Sequence, residues 1–143
     1  MAEPPGRILG IDYGSRRVGL AISDPMRLIA TGAGTWENDE RLMDRLRALV
    51  ADEAIGVVVV GMPYAADGGK GGKGAEVQRF LDRLSQSVAA RVETWDESYT
   101  TVNAHRAFIE GGMKRKKRRE KARVDEMAAR LLLQEYLENN NDR

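Results

Sequence analysis

The sequence predicts one α/β domain on a mixed five-stranded sheet, three antiparallel meander strands followed by two parallel ones, with helices on both faces. Three observations predict it. Two short apolar runs, residues 7–12 (RILGID) and 17–23 (RVGLAIS), flank the turn residues Tyr13, Gly14 and Ser15, as in an antiparallel hairpin. Residues 55–60 (IGVVVV) are continuously apolar and rich in β-branched side chains, the pattern of a strand covered on both faces. Segments of helical period stand on either side of that run, so its links to neighbouring strands are crossovers, which demand parallel pairing.

Taken in order, the hairpin ends at Asp24-Pro25, and residues 28–36 read as a third strand. Leu42, Met43, Leu46, Leu49 and Val50 place a helix over residues 40–52, with Asn38 or Asp39 as its N-cap. After the buried strand, Gly61-Met62-Pro63 breaks the chain. Residues 67–74 (DGGKGGKG) hold five glycines in eight and read as a flexible loop. Val77, Phe80, Leu81, Leu84 and Val88 give a helix over 75–90, followed by a strand over 91–95. A helix over 99–110 is closed by Gly111-Gly112, and the last helix covers 122–138. The order is β-β-β-α-β-α-β-α-α with the first strand central. The whole of 1–143 reads as one domain, with 1–6 and 139–143 frayed and 64–74 and 112–121 as flexible loops.

Composition removes several chemistries. There is no cysteine and one histidine, so disulfides, thiolate zinc sites, a cysteine nucleophile and an all-histidine metal cage are excluded. A metal would sit on carboxylates, whose hard oxygens suit Mg²⁺ or Mn²⁺. No apolar run approaches the roughly 20 residues that span a bilayer, and residues 1–7 lack an apolar signal core, so no membrane partner and a cytoplasmic location are expected. Net charge is only +1, but residues 114–123 carry eight basic side chains in ten, a local site for a polyanion.

Three acids stand where chemistry is placed in such folds. Asp12 closes the central strand, and strand ends carry the sites of α/β proteins; an aspartate before a Tyr-Gly turn is also an ordinary turn residue. Asp96 and Glu97 follow the strand RVETW, at the same sheet edge if that strand is parallel to the first; a solvated turn capping the next helix is the alternative. Asp125 shares a helix face with Ala128, Ala129 and Leu132, where an acid is costly unless paired or bound to metal; the helix dipole also favours an aspartate near the N-terminus. Carboxylates crowded at one edge repel each other, and divalent cations neutralise them. Two such ions activate water and clamp a phosphate.

The blocks LGIDYGSRRVGLAISDP, VVGMPYAADG, WDESYTT and VDEMAARLLLQEYL, in this order and spacing, resemble the YqgF/RuvX family of ribonuclease-H-like proteins from about residue 7 to 137. That family is described as Holliday junction resolvases and as the nuclease maturing the 5′ end of pre-16S ribosomal RNA. The resemblance implies that Asp12, Glu97 and Asp125 are the catalytic, metal-holding acids, with Mg²⁺ or Mn²⁺ as cofactor. The chain departs from the pattern at Ser98, where the family usually has arginine, and at Met62, where it usually has leucine.

Arg16 and Arg17 match the family's basic pair; either contacts a phosphate or forms a solvated hairpin tip. Lys114, Arg115, Lys116, Lys117, Arg118, Arg119 and Lys121 read as phosphate contacts without sequence preference, against the alternative of a solvated linker. The glycine-rich loop fails the Walker pattern, because Gly72-Lys73 is followed by Gly74. The expectation is therefore a metal-dependent endonuclease on structured nucleic acid, pre-rRNA or branched DNA. The alternatives are a Holliday junction resolvase in recombination and a non-catalytic RNA-binding ribosome-assembly factor. GIDYGSRRVGLA also resembles the first phosphate motif of sugar-kinase-like and actin-like ATPases, but those need two related domains. A homodimer would suit a two-fold junction substrate.

Overall fold

A computed structural model describes residues 5–62, 73–96 and 118–141. Within them the chain forms β1 (Arg7–Asp12), β2 (Arg17–Ser23), β3 (Ala30–Glu37), α1 (Leu42–Asp52), β4 (Ile55–Met62), α2 (Lys73–Ser87), β5 (Arg91–Asp96) and α3 (Arg118–Asn141). The strands make one sheet in the order β3-β2-β1-β4-β5. β1 is central, antiparallel to β2 and parallel to β4, and β5 runs parallel to β4. This is the mixed sheet that the apolar patterns predict.

The strand β4 shows how the two layers form. All eight of its residues are buried. Val58, Val60 and Met62 join the core made with Leu46 of α1 and Phe80 and Leu84 of α2. Val57 and Val59 point the other way, into the core made with Ala129, Leu133 and Tyr136 of α3. Alternation along one strand thus serves α1 and α2 on one face and α3 on the other.

Several boundaries differ from the sequence expectation, each for a local reason. The third strand begins at Ala30, and Leu28 and Ile29 stay exposed in the preceding turn. There the Asp24 carboxylate accepts the N–H groups of Met26, Leu28 and Ile29, at 3.1, 2.8 and 2.7 Å, and Arg27 takes a left-handed φ of 61°. Those three bonds hold the Asp24 carboxyl below its ordinary pKa, the Ile29 bond foremost. The α1 cap is Arg41, with no side-chain cap bond, because Asn38 is spent on Gly14 and Asp39 on the Arg41 N–H.

Residues 73–74, expected in the loop, are the first of α2, which ends at Ser87 rather than at residue 90. Residues 118–121, also expected in a loop, open α3, since lysine, arginine and glutamate are good helix formers. The same helix reaches Asn141, past the end expected at residue 138; Asn139 and Asn140 donate their amides to the carbonyls of Glu135 and Tyr136. Gly6 is likewise tied down, its carbonyl accepting from Arg27 Nε at 2.8 Å. The predicted helix over 99–110 and the tracts 64–72 and 112–117 lie outside the described residues.

Candidate active site

The site is built where α3 crosses the central hairpin. Ile8 of β1 packs into the α3 core, and a Cβ on Gly10 would stand 2.9 Å from Leu133 Cβ. Asp12, two and four residues further along the strand, lies on that same face, and it is 7% exposed. Its partner across the hairpin is Gly19. A Cβ on Gly19 would stand 2.0 Å from the Asp125 carbonyl oxygen. The backbone of α3 therefore rests directly on β2 at the residue opposite Asp12. The fold brings Asp12 and Asp125 to one place through a glycine that leaves no side chain between strand and helix.

Asp125 lies about two turns into α3, which starts at Arg118. Dipole stabilisation acts within the first turn, so it does not account for this acid. Its partner is Arg17, whose Nε donates to Asp125 Oδ2 at 3.3 Å, with the two side chains 19% and 16% exposed. Arg17 is thus not a solvated hairpin tip. The same helix face buries Ala128, Ala129 and Leu132 completely, which keeps Asp125 at the rim of the core. The next residue, Glu126, accepts the Gly34 N–H at 2.7 Å and lies over Gly32, fixing α3 against β3.

The turn after Asp12 is held by Glu76 and Asn38. Tyr13 Oη donates to Glu76 Oε2 at 2.9 Å and Ser15 Oγ to Glu76 Oε1 at 3.0 Å. The Tyr13 ring packs on Phe80, centroids 4.6 Å apart. Burial pushes the Tyr13 phenol above its ordinary pKa; the Glu76 carboxylate adds to that, and the Asn38 hydrogen bond opposes it. Asn38 Nδ2 donates to the Gly14 carbonyl at 2.8 Å and the Asn38 N–H to the Arg16 carbonyl at 2.8 Å. Arg16 itself is exposed and, with Ser15, Arg17, Glu37 and Asn38, lines a depression of about 350 Å³.

Of the acids singled out in the sequence, Asp12 and Asp125 are brought together, and Glu97 lies outside the described residues. Asp96, its neighbour, ends β5 beside Met62, on the sheet face turned to α1 and α2, opposite to that of Asp12. Among the described residues no three acids or histidines gather as a metal-binding group. Lys114, Arg115, Lys116 and Lys117 are also outside, while Arg118, Arg119 and Lys121 fall in the first turn of α3. Among the described residues no helix is long and apolar enough to cross a membrane. Sequence reasoning misses Glu76 and Asn38, which hold the Asp12 turn, and the seating role of Gly10, Gly19 and Gly32. Glycine inside a strand does signal close backbone approach, but it does not say which element approaches.

The family model described as "RuvX: Holliday junction resolvase" matches residues 6–139. A protein of Chlorobium luteolum named "Putative pre-16S rRNA nuclease" is 42% identical over 139 residues, spanning 96% of this chain and 98% of its own length. One of Halothermothrix orenii bearing the same name is 37% identical, spanning 94% and 96%. Among solved structures, Thermus thermophilus RuvC in complex with a Holliday junction substrate superposes with a TM-score of 0.60 at 14% identity, covering 95% of this chain and 96% of that one. That likeness is one of fold.

Proposed function

This chain belongs to the RuvX family, and from that premise we propose that it is a divalent-metal-dependent nuclease that hydrolyses phosphodiester bonds in structured nucleic acid, its substrate the 5′ leader of pre-16S rRNA. One observation carries the reading: Asp12, nearly buried at the end of the central strand, pairs with Gly19, and the α3 backbone rests on that glycine at Asp125. The names borne by relatives of about 40% identity favour the rRNA substrate. The description of the family favours a second reading, resolution of branched DNA.

The donor chemistry fits a cation. Both residues offer carboxylate oxygens, the hard ligands that Mg²⁺ and Mn²⁺ prefer. Glu97 is assigned as the third donor on the family motif. A divalent cation held there supplies a water of lowered pKa and a clamp on the phosphate oxygens.

The chain's own residues do the rest. β1 and its hairpin fix Asp12. Arg17 orients the Asp125 carboxylate through their hydrogen bond. Exposed Arg16 meets a phosphate of the bound strand with its guanidinium fork. The basic segment 114–121 draws in the polyanion by charge alone. Such a substrate implies a cytoplasmic protein, and a two-fold junction would engage two copies.

The test is cleavage of a pre-16S 5′-leader RNA and of a four-way DNA junction with Mn²⁺ or Mg²⁺, repeated with Asp12→Asn and after chelation by EDTA. The expected outcome is metal-dependent cutting of the RNA, reduced at least about a hundredfold by the substitution, on the scale of removing one oriented electrostatic group from the reacting centre. Junction cutting without RNA cutting moves the substrate to DNA. Binding without cutting of either leaves a non-catalytic assembly factor, and equal cutting by the variant removes Asp12 from the mechanism.

A further inference from the structure

We infer that Glu76 is a positioning residue for this site: it latches the turn that follows Asp12 onto α2 and so fixes where the Asp12 carboxylate stands. The inference rests on the metal-site reading above. Each Glu76 oxygen accepts one hydroxyl of that turn, Oε2 from Tyr13 at 2.9 Å and Oε1 from Ser15 at 3.0 Å. These bonds join residues 63 and 61 positions apart, so they serve tertiary placement, not local helix capping. Phe80, one turn along α2 and 3% exposed, carries the Tyr13 ring. Ring and hydroxyl of the residue next to Asp12 are therefore both held by one face of α2.

Three features set this latch apart from an ordinary surface contact. Hydrogen bonds to an ionised acceptor are roughly twice as strong as neutral ones. The turn folds closely back on itself, since a Cβ on Gly14 would stand 2.4 Å from the Arg17 carbonyl oxygen, and Asn38 binds the Gly14 carbonyl. Asn38 and Glu76 together tie the turn to the end of β3 and to α2. Finally, α2 begins at Lys73, at the end of the glycine-rich segment, so the latch ties the helix that leaves that segment to the site. Residues that orient metal ligands typically govern affinity by 10–100-fold.

The experiment compares wild type with Glu76→Ala, Glu76→Gln and the double variant Tyr13→Phe/Ser15→Ala. Mn²⁺ affinity is measured by calorimetry without nucleic acid, and amide hydrogen exchange is followed over residues 13–16. Glu76→Ala is expected to weaken Mn²⁺ binding about tenfold or more and to speed exchange in the turn, with helical content unchanged. Glu76→Gln, which keeps an acceptor oxygen, recovers part of that loss. The double variant removes both bonds without touching α2, together with the Tyr13–Asn38 hydrogen bond, so wild-type Mn²⁺ affinity in it overturns the inference even if Glu76→Ala does not fold. Wild-type Mn²⁺ affinity in a folded variant that lacks both bonds overturns the inference, as does unchanged exchange. A wild-type chain that binds no Mn²⁺ overturns the metal-site reading instead, and exchange over 13–16 then shows by itself whether Glu76 holds the turn.

Discussion

Arg17 and Asp125 show how one interaction settles what two residues are for. Each alone admits a solvent-facing reading, the arginine as a hairpin tip and the aspartate as a charge near a helix start. Joined at 3.3 Å, with under a fifth of either side chain exposed, they form a partly desolvated pair. A hydrogen bond to a charged group of this kind contributes about 1.5–3 kcal/mol. Removing Arg17 takes this bond from a part-buried carboxylate, so Arg17→Ala is expected to lower unfolding free energy by roughly 1–3 kcal/mol, read from urea denaturation near neutral pH. Arg17→Lys should recover only part of it, because an ammonium does not reproduce the guanidinium fork. If the alanine variant unfolds at the wild-type urea midpoint, the pair contributes nothing to the fold and Arg17 is free to serve the substrate.

The seating of α3 is governed by glycines on three adjacent strands. Gly10 on β1, Gly19 on β2 and Gly32 on β3 lie under Leu133, Asp125 and Glu126 in turn. Their missing side chains let the helix descend onto the sheet between Asp125 and Leu133. Farther along, larger side chains such as Ile8, Tyr136 and Leu137 fill the layer. Gly19 is the most constrained, since an added Cβ would meet main chain at 2.0 Å. Overpacking usually costs about 1–3 kcal/mol, and main chain on both sides puts Gly19→Ala at or above the upper end. The helix must lift away from β2, so Mn²⁺ affinity should fall together with stability. A Gly19→Ala variant with native stability and native Mn²⁺ binding would show that this close approach does not define the site.

The charges of the molecule are unevenly spread: a net +1 hides a stretch of ten residues with eight bases. Strong but local positive charge gives binding through phosphates that weakens steeply with salt. Every phosphate that a variant no longer neutralises should flatten the plot of log affinity against log salt by roughly 0.7 for single strands and 0.9 for duplex. Replacing Lys114, Arg115, Lys116 and Lys117 by alanine is therefore expected to reduce that slope by roughly 3 and to weaken binding to all sequences alike. Fluorescence anisotropy titrations at several salt concentrations measure it. A slope identical to wild type would return this segment to the role of a solvated linker.

Chain-local patterns were enough for the sheet and its order. Continuous burial of residues 55–60 in sequence pattern, a two-sided hairpin around Tyr13-Gly14-Ser15 and helical spacing at Leu42–Val50 are all set by period and turn chemistry, which act over a few residues. They placed β1 at the centre and Asp12 at its end. Asp12 and Asp125 were legible as candidates because an acid at a strand end or beside small residues is out of place unless something answers its charge. Which group answers was not legible. Arg17 meets Asp125 across 108 positions and Glu76 meets Tyr13 across 63, and no periodicity reports a partner at such separation. The exact seating of α3, the turn held by Asp24 and the latch on the Asp12 turn depend on where separate elements come to rest against each other. That is a matter of close packing and of satisfying buried polar groups in three dimensions, and only the folded arrangement resolves it.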